Sequence, residues 1–250
     1  MDLQPLADHV ALVTGAGRRL GRVIALALAR AGADVAVNYH QSRAAAIATA
    51  REIEALGVRS AALRADVSKP RQVEAMFRKL SEQFGQLDLL VNNAGVFFPR
   101  RLEELTEHDW DRILGINLKG PFFCAQAAAR LMGRRPSGPS GQIINISSLG
   151  GLQAWPDYAH YCSSKAGLIM LTRCLAKALA PAIRVNSVAP GTILFPDEER
   201  DAGRLRIIAR TPLRTAGRPE DIADAVLYLA TSASFITGQV IAVDGGKSIL

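Results

Sequence analysis

What most constrains this chain is an alternation of short apolar runs with longer helix-like stretches, punctuated by glycine. Val10 to Val13 runs straight into Thr14-Gly15-Ala16-Gly17-Arg18-Arg19-Leu20-Gly21, and an Ala/Leu-rich stretch, Arg22 to Arg30, follows and stops at Gly32. The unit then repeats. Asp34 to Asn38 reads as a strand and Ala44 to Leu56 as a helix ended by Gly57. Ser60 to Arg64 and Pro70 to Phe84, ended by Gly85, make the next pair, and Leu87 to Val91 reads as a fourth strand. A strand needs a crossover of a dozen or more residues before it can pair in parallel with the next, and helices of this length supply it. Helices then cover both faces, so the strands are apolar throughout rather than alternating.

The pattern continues to the end of the sequence. Asp109 to Met132 reads as one long helix that Pro121 bends, and Gln142 to Ser147 as a fifth strand. A helix to about Leu179, a strand over Ile183 to Val188, a helix over Glu220 to Leu229 and a last strand over Val240 to Val243 complete the set. The expected architecture is α/β: a doubly wound sheet of about seven parallel strands with helices on both faces. The Gly/Pro/Ser-rich stretch Gly133 to Gly141 is the one interruption, and it is too short to separate two cores. Residues 1–250 are therefore expected to form a single domain.

Composition narrows the function classes. An apolar content of 49% with 21% charged residues suits a globular enzyme. The formal charge of +7 is spread as scattered arginines, without a clustered basic face, so nucleic-acid binding is not expected and a small anionic ligand is. No apolar stretch reaches the roughly 18 residues of a membrane span. Cys124, Cys162 and Cys174 show no metal spacing, and no metal is expected. An odd cysteine count and the absence of a secretory leader point to a reduced, cytoplasmic setting.

The glycine-rich turn sits where such a turn carries meaning, between a first strand and a first helix. Glycines let the backbone approach a pyrophosphate, and the helix N-terminus offers unpaired N–H donors. A free ribose is usually held by an acid at the end of the second strand. Asn38 occupies that position here, followed by Tyr39, His40, Gln41 and Ser42, with no acid among them. Arg18 and Arg19 lie in the first turn, and guanidinium groups suit a phosphate. The pattern points to a 2′-phosphate and hence to NADPH/NADP+. Asp66 suits an adenine amino group, or a helix cap shared with Ser68. The small residues of Asn92-Asn93-Ala94-Gly95 suit the crevice at a strand's carboxyl end.

Tyr161 and Lys165 stand four apart on a predicted helix, so both side chains share a face. A phenol titrates near pH ~10 and is a weak acid at neutrality. A neighbouring ammonium is expected to lower that value and make the pair a proton donor. Ser148, just beyond the fifth strand, suits a hydrogen bond to a developing oxyanion.

Together these residues resemble the classical short-chain dehydrogenase/reductase family over essentially the whole chain. The likeness runs through the Thr14–Gly21 turn, Asp66-Val67, Asn92-Asn93-Ala94-Gly95, Asn117, Ser148, Tyr161 with Lys165, Pro190-Gly191-Thr192 and Asp244-Gly245-Gly246. It implies a Rossmann-type fold and a catalytic set of Asn117, Ser148, Tyr161 and Lys165. In that set Tyr161 donates the proton, Lys165 holds the nicotinamide ribose and Asn117 anchors a water. The cofactor residues it implies are Gly15, Arg18, Arg19, Leu20, His40, Ser42, Asp66, Val67, Asn93, Ala94, Gly95, Pro190, Gly191 and Thr192. A homotetramer is implied as well.

One departure stands out. The family's second glycine usually falls where this chain has Arg19, which leaves the shape of the turn open. The pteridine reductases of the family carry a similar basic pair. They also resemble this chain over Tyr39 to Ser42, Phe97-Phe98-Pro99 and Pro190 to Pro196. In that group an aromatic at the Phe97 position stacks on the pterin. Ser148 points elsewhere, because pteridine reductases commonly carry Asp there and 3-oxoacyl-thioester reductases carry Ser. The substrate is expected between Val96–Arg101, Leu149–Tyr158 and Ile193–Arg210, with Phe97, Trp155, Tyr158 and Phe195 lining it. Residues 193–210 are expected to form a lid.

The reading is an NADPH-dependent reductase of a small-molecule carbonyl substrate, with a 3-oxoacyl thioester as one form. A dihydropterin C=N is the alternative substrate. A non-catalytic NADP-binding sensor is the alternative of another class.

Overall fold

The structure is a computed structural model, and it describes residues 4–132, 141–195, 197 and 202–250. Much of the expected 133–141 loop, and residues 196 and 198–201 of the expected lid, lie outside those residues. Seven strands form one parallel sheet: β1 (Val10–Val13), β2 (Asp34–Tyr39), β3 (Ser60–Arg64), β4 (Leu89–Asn92), β5 (Gly141–Ile146), β6 (Ile183–Pro190) and β7 (Val240–Val243). Their order across the sheet is β3-β2-β1-β4-β5-β6-β7. The direction of winding therefore reverses between β1 and β4, and in such sheets a crevice opens there beyond the strands' carboxyl ends.

Among the described residues, eight α-helices connect and flank the strands: α1 (Arg19–Arg30), α2 (Arg43–Glu54), α3 (Pro70–Phe84), α4 (Glu107–Leu114), α5 (Gly120–Met132), α6 (Ala159–Leu179), α7 (Ala202–Ala209) and α8 (Pro219–Thr231). Two apolar layers divide the strand side chains by the two-residue period. Ala11, Val13, Leu89, Val91 and Ile144 pack with Ile24, Leu28, Ile53, Val226 and Leu229 on the α1, α2 and α8 face. Val10, Leu12, Leu90 and Ile143 pack with Met76, Leu80, Cys124 and Met132 on the α3 and α5 face. Both faces being covered explains why each central strand reads as an unbroken apolar run.

One expected helix is built differently. Asp109 to Met132 does not run as a single α-helix bent at Pro121. A π-helical turn, Gly115–Lys119, separates α4 from α5. Pro121 has no N–H, so the carbonyl four residues earlier, on Asn117, loses its ordinary partner. The ladder slips by one residue there, with the Gly120 N–H donating to the Gly115 carbonyl.

A buried polar chain sets α6 against the sheet. Asn92 Nδ2 donates to Asn145 Oδ1 at 2.9 Å, and Asn145 Nδ2 donates to the Thr172 hydroxyl at 2.9 Å. This fixes how far α6, which carries Tyr161 and Lys165, slides along β5.

Candidate active site

The reversal between β1 and β4 is closed by a clasp. Thr14 Oγ1 accepts from the N–H groups of Asn93 and Ala94, each at 3.0 Å, and Asn93 Nδ2 donates to the Thr14 carbonyl at 2.8 Å. Gly15 has φ +64, and a Cβ there would stand 3.0 Å from the Ala94 backbone. Only glycine combines that left-handed conformation with so close an approach. Asn93 and Ala94 thus pack the turn and also face the cleft.

The cleft beyond the strand ends has a volume of about 980 Å³. Its walls carry most of the residues singled out from the sequence: Gly15, Arg18, Arg19, Leu20, His40, Ser42, Asp66, Val67, Asn93, Ala94, Gly95, Phe97, Ser148, Tyr161, Lys165, Pro190, Gly191 and Phe195. Asn117, Trp155, Tyr158 and Thr192 are not among the lining residues. Tyr39, Gln41, Ala65, Val96, Ile116, Ile146 and Ile193 also line the cleft. The apolar ones among them carry no sequence signal that separates them from ordinary core residues.

At the adenine end, Asn38 borders the cleft but is not the last residue of the second strand, as the sequence suggested. β2 extends to Tyr39, and Asn38 is buried. Its side chain accepts from Gly15 N–H at 3.1 Å and donates to the carbonyls of Leu63 and Ala65 at 3.2 Å. It is a stitch between β1, β2 and β3, and His40 to Ser42, after the strand, line the cleft as well. His40 Nε2 lies 4.0 Å from Asp66 Oδ2, while Asp66 Oδ1 accepts from the Ser68 N–H and hydroxyl at 2.9 and 2.7 Å. Asp66 therefore serves its own turn with one oxygen and faces His40 with the other. Ser42 precedes α2 without capping it.

Arg18 and Arg19 differ in backbone and in contacts. Arg18 is extended, with φ −160, and its side chain makes no hydrogen bond or ion pair among the described residues. Arg19 has φ +55, a left-handed conformation costing a non-glycine residue about 1–2 kcal/mol. The turn thus keeps a glycine-like shape with an arginine in it. The Arg19 guanidinium lies 4.1 Å from the centroid of the Phe195 ring and 3.9 Å from the Asp197 carboxylate.

At the other end, α6 presents Tyr161 and Lys165 beside Ser148. Lys165 is buried, and its ammonium donates to the Ile146 carbonyl at the end of β5, at 2.8 Å. Burial draws its pKa down to about 8. Burial pushes the Tyr161 phenol up to about 12, and a hydrogen bond with Ser148 works in the opposite direction. The lowering expected from Lys165 is not found. The ammonium stands 5.8 Å from the ring centroid and is spent on Ile146, so loss of solvent dominates the phenol.

Ser147 and Ser148 face opposite ways, as neighbours leaving a strand do. Ser147 Oγ donates to the Val188 carbonyl at 3.1 Å and accepts from the Ser187 hydroxyl at 2.7 Å. Ser148 Oγ accepts from the Gly150 N–H at 3.0 Å and meets Tyr161. Asn117, in the π turn, exchanges two bonds with the Val96 backbone at 2.9 and 3.0 Å and donates to the Ser164 hydroxyl at 3.2 Å. Its side chain braces the cleft wall from behind. Ser164, in turn, carried no signal in the sequence apart from its place on α6.

Four rings close the substrate side. Phe97 stacks on Tyr158 with centroids 4.6 Å apart and planes within 3°, and meets Tyr161 edge-on at 4.7 Å. Trp155 lies nearly parallel to Tyr161 at 6.2 Å. Phe97 is 54% exposed, an apolar surface beside the phenol.

A doubly wound parallel sheet with this cleft at its reversal defines a Rossmann-type fold. More narrowly, the chain belongs to the short-chain dehydrogenase/reductase family. A family model described as enoyl-(acyl carrier protein) reductase matches residues 15–248. The chain is 45% identical over 240 residues to the 3-oxoacyl-(acyl-carrier-protein) reductase FabG of Staphylococcus aureus (strain N315), covering 94% of this chain and 96% of that one. Among solved structures, it resembles a short chain dehydrogenase from Burkholderia cenocepacia J2315 in complex with NADP. That match has a TM-score of 0.90 and 36% identity and covers 97% and 99% of the two chains. A blue fluorescent protein from a metagenomic library, in complex with NADPH, matches with a TM-score of 0.89 and 37% identity over 98% and 99%.

Proposed function

We propose that this protein reduces the keto group of a 3-oxoacyl thioester with NADPH. The observation that carries the reading is Ser148 meeting the phenol of Tyr161 on the wall of the cleft, with Lys165 one helical turn further on. The residues of the cleft fit the cofactor. Gly15 packs the turn tightly against Ala94 so that the start of α1 borders the cleft, which suits a pyrophosphate, and the Arg18 and Ser42 side chains, which also line the cleft, have no hydrogen-bond partner among the described residues and suit a 2′-phosphate. Asp66 and Val67 border the adenine end, and Pro190, Gly191 and Lys165 the nicotinamide end. Bound there, NADPH supplies the hydride.

The chain's own groups handle the proton and the charge. A phenol held near 12 is fully protonated at neutral pH, so Tyr161 starts the reductive cycle as an acid. Ser148 places a hydroxyl where the carbonyl oxygen gains negative charge. Lys165, cationic below about pH 8, favours the phenolate that Tyr161 leaves behind and offers its remaining N–H donors to a ribose. Asn117 ties Val96 on the cleft wall to Ser164 on α6, the helix that carries the phenol.

A carbonyl is favoured over the enoyl C=C named in the family model's description, because both donors converge on a site suited to an oxygen. The 45% identity to a 3-oxoacyl reductase supports the same choice. Phe97 and its stacked rings favour one second reading, a flat dihydropterin. NADPH oxidation with acetoacetyl, crotonyl and dihydropterin substrates tests these readings side by side. Turnover of the acetoacetyl thioester with loss of its keto group is expected. Turnover confined to crotonyl thioester or to dihydropterin would overturn the assignment.

A further inference from the structure

We propose that Arg19 is a positioning residue for the segment after β6, tying it to the cofactor turn, rather than a ligand of the cofactor phosphate. The inference rests on the reductase reading above. Two neighbouring arginines enter the first turn, and the fold commits them differently. Arg18 has no side-chain partner among the described residues, whereas the Arg19 guanidinium covers Phe195 at 4.1 Å and faces Asp197 at 3.9 Å. Arg19 does so from a left-handed backbone that glycine would adopt freely. The side chain therefore brings something that glycine would not.

What it brings is a second attachment for the chain leaving β6. One side of that chain is already tied: the Leu194 N–H donates to the Gly217 carbonyl and the Gly217 N–H to the Thr192 carbonyl, each at 3.0 Å. Gly217 stands just before α8. On the Phe195 side, Arg19 adds a contact from the glycine turn. With it, Phe195 is held between the turn that receives the pyrophosphate and the strand end that borders the nicotinamide. Substrate affinity then depends on a residue located in the cofactor turn. A cation over an aromatic ring contributes an amount equivalent to about 2- to 30-fold in an equilibrium.

The test is a double-mutant cycle on the full-length protein with Arg19→Gly, Phe195→Leu and both together. It is read in three ways: NADPH Kd by fluorescence, KM and kcat for acetoacetyl thioester, and hydrogen exchange of the 193–195 backbone in the NADPH complex. Arg19→Gly is expected to raise KM about 3- to 30-fold and to speed exchange at 193–195. NADPH Kd should change by less than about 3-fold. Phe195→Leu should do the same, and the double variant should be no worse than either single. Arg19→Lys, which keeps the charge, should recover part of the loss. The proposal is overturned if Arg19→Gly weakens NADPH about tenfold or more while exchange at 193–195 stays unchanged. Multiplying effects of the two substitutions would overturn it equally. If none of the tried substrates turns over, the exchange and NADPH measurements still decide the role of Arg19, and only the reductase reading fails.

Discussion

Lys165 ends on the carbonyl of Ile146, 2.8 Å away, and not on the phenol of Tyr161 one helical turn before it. That one bond fixes the ammonium in a buried place, and its pKa falls to about 8 from an ordinary 10.5. Such a drop corresponds to about 3 kcal/mol working against the charged form in the folded protein. Because the folded value is the lower one, the unfolded chain binds the proton more tightly between pH 8 and 10.5. The cost is fully present below about 8 and disappears as pH rises through 10.5.

Lys165→Met should therefore stabilise the protein at pH 7 by about 1–3 kcal/mol, less the lost bond to Ile146. The gain should shrink as pH approaches 10.5, and turnover should be lost. Thermal unfolding at pH 7 and pH 10 measures both. A variant no more stable at pH 7 would show that the ammonium is better solvated than its burial implies.

The same values predict the pH profile of reduction. Tyr161 stays protonated until near 12, so the phenol does not limit the rate at ordinary pH. Lys165 loses its charge near 8, and kcat for reduction should fall as pH rises through that value. Tyr161→Phe should lower kcat by about 10²–10⁴-fold while NADPH still binds. A reduction rate flat to pH 10 would contradict the role given to the ammonium.

Ser147 and Ser148 should separate stability from chemistry. Ser147→Ala removes the buried bonds to the Ser187 hydroxyl and the Val188 carbonyl, while Ser187 keeps its bond to the Asn145 carbonyl, and should cost about 1 kcal/mol with kcat little changed. Ser148→Ala should reverse that pattern, lowering kcat about 10²-fold with a small change in melting temperature. Steady-state kinetics beside thermal melts would show the contrast, and equal effects on both variants would contradict it.

Much of this division was legible in the residues themselves, for reasons that differ from element to element. β1, β3, α3 and β7 begin and end where their runs of apolar or helix-forming residues do, because glycine, proline or a polar turn bounds each. The π turn was hidden, since Pro121 announces a bend without saying whether the helix kinks or slips its register. The end of the second strand was hidden for a related reason: β2 runs one residue past Asn38, and only the arrangement of β1, β2 and β3 shows that the Asn38 amide is consumed by Gly15, Leu63 and Ala65. The Tyr161 and Lys165 spacing was visible, but the sign of the phenol's shift depends on burial that spacing does not encode.

Asn117 shows how a residue in a recognised pattern acquires a structural task. Its amide is fully engaged by Val96 and Ser164. Asn117→Ala should lose about 2–4 kcal/mol of stability, because the Val96 N–H and carbonyl are left without partners. Activity measured well below the melting temperature should fall less than in Tyr161→Phe. Chemical denaturation paired with low-temperature kinetics distinguishes this outcome from a direct catalytic role, in which activity would vanish with stability intact.

Arg18 is the remaining test of the cofactor phosphate. Its side chain has no protein partner among the described residues, and it lines the cleft beside His40 and Ser42, where β2 supplies no acid to hold a bare ribose. A charge-assisted hydrogen bond to a phosphate contributes about 1.5–3 kcal/mol. Arg18→Ala should therefore weaken NADPH by about 10- to 100-fold, while NADH, which lacks the phosphate, should bind almost as before. Higher salt should narrow the wild-type preference and leave that of the variant unchanged, since screening acts on the charge that was removed. Titrating both dinucleotides into both proteins at two ionic strengths measures all of this. An equal loss for NADH and NADPH would place Arg18 on the pyrophosphate common to both, and the missing acid after β2 would then need another explanation.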